Sequence, residues 1–383
     1  MSEFFTDEMR RNPYPLYDQL RSAGVLHVPP PFNAWLVLDY AGVKQVLADH
    51  ETFRSSVPAP PNWFIFSDPP RHTKLRTLIS KAFTPRSVMN LESRIRGISR
   101  ELLDPAIERR SMDLATDYAV PLPMKVIAEM IGIPPADWPR FKRWSDSILK
   151  LSYARSGGDE AAQASREFGA VTAEMSGYLA EMIEQRRSIP TDDLLTRLIE
   201  AEVDGQRLSH EEILGFFQLL VVGGQETTTN LINNAVLCLL ENPAQRELLT
   251  AQPQLLPSAI EEVLRYRSPL QWVMRSPSRD IELHGQAIPA GCLVLAVVGS
   301  ANRDPRQFPE AGSFDIERDP NPHLAFGLGN HFCLGAPLAR LEARIALTEL
   351  FERLKNFELA TSEPWPPRRA LHVHGPETLP IRF

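Results

Sequence analysis

One cysteine constrains this chain more than any other residue. Residues 323–345 read HLAFGLGNHFCLGAPLARLEARI, which sets Cys333 among Gly327, Gly329 and Gly335, just ahead of an amphipathic pattern with Pro337 near its start. Glycines give the backbone freedom of a tight loop and proline favours the first turn of a helix, so the spacing predicts a cysteine held at a loop-to-helix junction. The amide donors and positive dipole end of such a helix favour thiolate over thiol, which makes the sulfur a metal ligand. No second cysteine lies nearby. Zinc and iron–sulfur sites recruit several side chains at short spacings, whereas a lone thiolate suits a metal whose equatorial positions a macrocycle already fills. Haem with one axial cysteine fits; a buried structural cysteine is the alternative that the residues alone leave open.

The rest of the composition narrows the class. The net charge of −7, with no Lys/Arg-rich run, argues against nucleic acid as a partner. The charged N-terminal stretch MSEFFTDEMRRNPYPLY is neither a signal peptide nor an anchor, and the most apolar run, 214–222, is too short to span a bilayer. No membrane association and a cytoplasmic location are therefore expected. Cys238 and Cys292 stand far from Cys333 and from each other, which suits a reducing compartment and a core role for both. No linker, charge block or repeat marks a boundary, so residues 1–383 read as one domain.

Helical periodicity dominates. A first helix is expected at 12–23, a strand at 34–38, and a proline-rich and then aromatic loop at 52–66. The segment 68–83 begins with Asp68 as a cap and places His72 and Arg76 one turn apart, two cationic donors able to grip a carboxylate. Helix follows helix over 122–187, interrupted by SGGD at 156–159, and 192–202 adds another. Residues 209–240 open with a capping box, Ser209 and Glu212, and stay apolar on nearly all sides, predicting a buried helix of about 45 Å. Its middle breaks helix rules: Gly223 and Gly224 are followed by Gln225, Glu226 and three threonines from Thr227. Paired glycines lower helix propensity and a threonine hydroxyl can return to the carbonyl four residues back, so a functional kink is expected there. A strand-rich part is expected over 269–298, and a terminal hairpin over 372–381.

FGLGNHFCLG resembles the cysteine-loop signature of the haem-thiolate monooxygenases, the cytochrome P450 family of soluble bacterial type. That signature runs Phe-Gly-x-Gly-x-His-x-Cys-x-Gly, and Phe326, Gly327, Gly329, His331, Cys333 and Gly335 fill every fixed position. Three further stretches resemble the family in the right order: the His72/Arg76 helix, the acid–threonine stretch, and Glu262 with Arg265, to which Arg318 is the candidate third member. The resemblance implies a mainly α fold with a smaller β-rich region, the triangular prism of that family. It implies haem b on Cys333, with His72, Arg76, Arg275 and His331 on its propionates, Phe326 and Gly335 beside the sulfur, and Gly223 leaving room over the ring. Glu226 and Thr227 take the acid and alcohol positions that order water and pass protons to dioxygen.

The implied activity is insertion of one oxygen atom of dioxygen, as hydroxyl, into an apolar small molecule. Trp63, Phe64, Leu219, Val222, Val273 and Glu377 are the candidate pocket residues, and the short segment before Asp68 suggests a reduced covering helix and an open pocket. Electrons are expected from a separate ferredoxin and ferredoxin reductase, docked on Arg71, Lys74, Arg340 and Arg344. Two same-fold alternatives are a peroxide-driven peroxygenase, disfavoured because its Arg-Pro pair is absent, and a non-catalytic recruitment protein, disfavoured because the cysteine loop is intact.

Overall fold

The computed structural model describes residues 6–30, 33–56, 63–153, 158–354 and 356–383. They form two compact units that share the chain alternately: Met1–Pro58, Ser99–Ala119 and Thr227–Phe383 make one, Ala59–Ile98 and Val120–Glu226 the other.

The second unit is helical. It contains Arg71–Ala82, Pro85–Met89, Pro121–Ile131, Trp138–Tyr153, Gly158–Ser188 and Leu194–Glu200. Two helices thus flank the expected SGGD break, of which 156–157 lie outside the described residues. The core is aromatic and aliphatic, with Phe141, Trp144, Met175, Leu179 and Phe217 buried and Phe141 meeting Phe217 edge-on at 6.1 Å. Helix Pro121–Ile131 stops at Gly132, whose φ of 90° suits glycine and whose Cα faces the Asp193 carboxylate too closely to carry a Cβ. Asp193 caps Leu194–Glu200 and binds Arg186 Nε at 2.6 Å, so one carboxylate ends two connections.

The first unit holds the larger sheets, while the second has one short ladder, Glu202–Val203 with Gln206–Arg207. Strands Val25–Val28, Ala34–Val37, Leu293–Ala296, Val273–Pro277 and Phe53–Arg54 lie in that order, antiparallel except for Leu293–Ala296 beside Ala34–Val37. Val37, Val43, Val46, Phe53, Val294 and Ala296 pack into one apolar cluster against it. The hairpin Ile281–Leu283 to Gln286–Ile288 turns at His284 and Gly285, both at positive φ, as the sequence predicts. Glu262, Arg265 and Arg318 meet as expected: Arg265 is 2.7 Å and Arg318 3.3 Å from the Glu262 carboxylate, and Glu262 and Arg265 are wholly buried.

Three sequence expectations need correction. The helix expected at 12–23 forms as Tyr14–Arg21 with Pro13 at its N-cap position, but a short unexpected helix, Asp7–Arg11, precedes it. The 52–66 segment contains a strand, Phe53–Arg54, paired with Ser276 and Pro277, and a 3₁₀ turn at Phe64–Phe66, while 57–62 lie outside the described residues. The terminal segment is no regular hairpin: Val373 bridges Leu270, Pro376 bridges Pro367, and Pro380–Arg382 pairs with both Ser111–Asp113 and Glu358–Leu359. Prolines at 376 and 380 offer no N–H to close a local ladder, so the strand finds partners elsewhere. No described helix is long and apolar enough to cross a membrane.

Candidate active site

In the first unit the cysteine loop is built as its glycines require. Gly327 and Gly329 take φ of 71° and 67°, Gly329–His331 make one 3₁₀ turn, and Gly335 caps the helix Ala336–Arg353 with proline in its first turn. The Cys333 amide donates to the Phe326 carbonyl at 2.8 Å, which fixes the backbone while the residue stays exposed. A Cβ on Gly335 would lie 3.9 Å from Cys333 Sγ, so the sulfur rests against that glycine. The other two cysteines differ. Cys238 is buried, and burial pushes its thiol up to about 12; Cys292 is half-buried and shifted upward for the same reason.

Behind the loop stands a clamp that sequence reading missed. The Arg340 guanidinium lies 4.5 Å from the Phe326 ring centre and forms two 2.7 Å bonds to Glu261, and His323 Nε2 is 3.0 Å from the same carboxylate. Burial opposes the Glu261 charge, but Arg340 and then His323 outweigh it and bring the carboxyl down to about 2. Arg340, expected to face a redox partner, is thus committed to Glu261 and Phe326. His331 is within hydrogen-bond reach of Ser55 Oγ, at 3.0 Å. Arg275 is buried in strand Val273–Pro277 and donates to the Met274 carbonyl at 2.8 Å. Val273 is half-buried on the apolar cluster, and Glu377 is exposed, its amide bound to the Pro366 carbonyl at 2.7 Å.

In the helical unit, His72 and Arg76 lie one turn apart in Arg71–Ala82, His72 buried and Arg76 half-buried. Pro70 rather than Asp68 occupies the cap, and Asp68 instead accepts the His72 amide at 3.0 Å through its carbonyl. The His72 ring stacks on Phe64 at 5.7 Å. Trp63 and Phe64 are tied to the long helix His210–Glu241: Trp63 Nε1 donates to Gln218 Oε1 at 3.1 Å, Gln218 donates to Thr172, and Phe64 meets Phe216. The signal for this tie was in view, since Gln218 breaks an otherwise apolar run.

The capping box forms, Ser209 N–H to Glu212 at 2.9 Å and Glu212 N–H to Ser209 Oγ at 3.2 Å. Leu219 and Val222 are half-buried, Glu226 is buried and Thr227 half-buried. The paired glycines divide. A Cβ on Gly224 would collide with Ile127, while one on Gly223 would meet, among the described residues outside its own helix backbone, only Leu219 at 4.0 Å. Gly223→Ala is therefore expected to stabilise the fold by up to about 1 kcal/mol through helix propensity, and Gly224→Ala to gain less or nothing. Paired chemical unfolding curves measure this; equal gains would refute the packing assigned to Gly224.

The donor set decides what metal group fits. Among the described residues no cluster of three or more His, Cys, Asp or Glu could hold an ion. A metal at the exposed Cys333 must bring its other donors with it, as an iron porphyrin does. The comparisons agree. The Cytochrome P450 family model matches residues 162–377. A putative cytochrome P450, YjiB, of Bacillus subtilis is 43% identical, with 92% of this chain and 90% of that protein aligned. The cytochrome P450 monooxygenase PikC of Streptomyces venezuelae is 40% identical over 97% of this chain and 91% of its own. CYP109E1 of Bacillus megaterium, solved with corticosterone, superposes with a TM-score of 0.90 at 39% identity, covering 98% and 99% of the two chains. On the cysteine loop, the donor set and these likenesses together, the chain belongs to the cytochrome P450 family of haem b monooxygenases.

Proposed function

We propose that this chain hydroxylates an apolar small molecule with one oxygen atom of dioxygen. It acts in the cytoplasm as a single catalytic domain and takes electrons from a separate ferredoxin and its reductase. The observation that carries the reading is the Cys333 loop: an exposed cysteine at a helix start, its amide fixed to Phe326, its sulfur against Gly335. Bound haem b supplies the iron that activates dioxygen.

The chain's own residues have separate tasks. Cys333 gives its thiolate to the iron, with Phe326 and Gly335 shaping the space around the sulfur. His72, Arg76, Arg275 and His331 donate to the propionates, whose charges need such donors when buried. Glu226 and Thr227 hold water and move protons, and Gly223 leaves room. Trp63, Phe64, Leu219, Val222, Val273 and Glu377 meet substrate. The apolar majority of that set favours a hydrocarbon-rich molecule, and CYP109E1 was solved with corticosterone and with testosterone. Steroids and fatty acids are the first compounds for a spin-state titration.

A reduced, carbon-monoxide-bound spectrum tests the haem-thiolate assignment: a red-shifted Soret band is expected, and an unshifted one in fresh protein overturns it. Thr227→Ala is expected to keep that band yet release peroxide several-fold faster per electron consumed, because the proton donor position is lost. Unchanged coupling removes Thr227 from the relay.

A further inference from the structure

The long helix carries a polar face that these roles leave unused. Asn230, Asn233 and Asn234 follow Thr227 and are wholly buried. Thr227, Asn230, Asn234 and Glu241 fall within about 60° around the helix and span roughly 21 Å of its length, and Asn233 sits about 60° outside that arc on the Asn230 side. Asn234 Nδ2 donates to the carbonyls of Arg267, at 3.0 Å, and His374, at 2.9 Å. Both amide atoms of Asn230, both of Asn233, Oδ1 of Asn234, Nδ1 of His374 and Nε of Arg267 find no hydrogen-bond partner among the described residues. Buried side-chain polar atoms are nearly always partnered, and a site with this many donors and acceptors is what buried water requires.

The surroundings give the face a direction. The terminal segment runs beside it: His374 donates its amide to the Pro269 carbonyl at 2.8 Å, and Gly375 lies so close to the Asn230 amide that a Cβ there would collide. His374 Nε2 is 3.0 Å from the Arg11 carbonyl, which only accepts, so Nε2 carries the hydrogen and Nδ1 is an acceptor. Burial, reinforced by the Arg267 charge, pushes that imidazolium down to about 3, so the ring is neutral. At the far end Arg267 binds Glu241 at 2.7 Å, and the Glu241 side chain is 44% exposed.

We propose that Asn230, Asn233, Asn234 and His374 hold a chain of buried water that carries protons from solvent at the Glu241–Arg267 pair to Thr227. The proposal rests on the reading of Thr227 given above. No asparagine changes protonation: for each proton passed on at Thr227 one enters from solvent at Glu241, and the amides align the waters between them. Electrons arrive separately, from the ferredoxin.

A crystal structure of the haem-loaded chain, at a resolution that places water, is the first test. Ordered waters on the Asn230 and Asn233 amides and on His374 Nδ1 are expected; amides rotated onto protein groups without water overturn the proposal. Asn230→Leu is expected to release peroxide several-fold faster per electron with the carbon-monoxide band intact, and Asn230→Ser, whose hydroxyl can hold water, to restore coupling. If leucine at 230 unfolds the protein against Gly375, Asn233→Leu replaces it as the test variant. A wild-type chain lacking the thiolate band defeats the proposed function, and a coupled Thr227→Ala removes Thr227 from the relay and with it the end point of the water path. Coupled Asn230→Leu and Asn233→Leu beside an uncoupled Thr227→Ala defeat the water path alone.

Discussion

Replacing Cys333 by serine is expected to abolish oxygen insertion and to move the reduced, carbon-monoxide-bound Soret band out of its red-shifted position, while the chain stays folded. The hydrogen bond that sets the loop, Cys333 N–H to the Phe326 carbonyl, belongs to the backbone and survives the change. So do the positive φ values of Gly327 and Gly329 and the Arg340 clamp on Phe326. What disappears is the group proposed to ionise and donate electron density to iron. Loss of groups that merely orient a metal ligand lowers activity ~10–100-fold, so loss of the ligand itself should exceed that. Neither remaining cysteine is a ready substitute: burial raises both thiols, that of Cys238 to about 12. A thiolate band persisting in Cys333→Ser would mean that another sulfur reaches the iron, and the site assignment would be lost.

That loop was legible in sequence because its constraints are local. Glycines at left-handed positions, a proline in the first helical turn and a cysteine between them lie within a dozen residues, and so does the capping box of Ser209 and Glu212. The Glu262–Arg265 pair was legible for the same reason, being one helical turn. The clamp of Arg340 on Glu261 joins residues 79 apart, and the Trp63–Gln218 bond joins residues 155 apart. No spacing rule reaches that far. Periodicity also made Arg340 look like a solvated cation, since a helix face does not reveal what packs against it. Asn230, Asn233 and Asn234 passed as ordinary members of a buried helix, because unpaired amides become visible only once every neighbour is placed. The terminal hairpin failed differently: prolines at 376 and 380 offer no N–H to a local ladder, and the strand pairs elsewhere.

Arg265→Met is expected to destabilise the chain by about 3–5 kcal/mol, the usual consequence of stranding one member of a buried ion pair. Arg265 spends all five of its hydrogens: Nε and Nη2 on Glu262, Nη1 on the carbonyls of Asn302 and Ala311, and Nη2 again on Ser313, between 2.7 and 3.0 Å. In many proteins a buried pair can be exchanged for two apolar residues at little cost. Here it should not be. Glu262 also accepts the Asp315 amide at 3.0 Å, Asn321 at 3.2 Å and Arg318 at 3.3 Å, so Glu262→Leu with Arg265→Met leaves carbonyls, an amide and a second guanidinium without their partners. Each such buried group costs about 1–3 kcal/mol, and the double variant should be no more stable than either single one. The damage should reach the cysteine loop as well, because Asn302, whose carbonyl binds Arg265, holds the Leu324 amide at 2.7 Å through Oδ1, and Leu324 in turn accepts the Gly327 amide. Denaturation midpoints and thiolate-band absorbance per chain should therefore fall together across the three variants. A double variant that recovers wild-type stability would show that the pair acts alone, and that the loop is anchored by something other than this network.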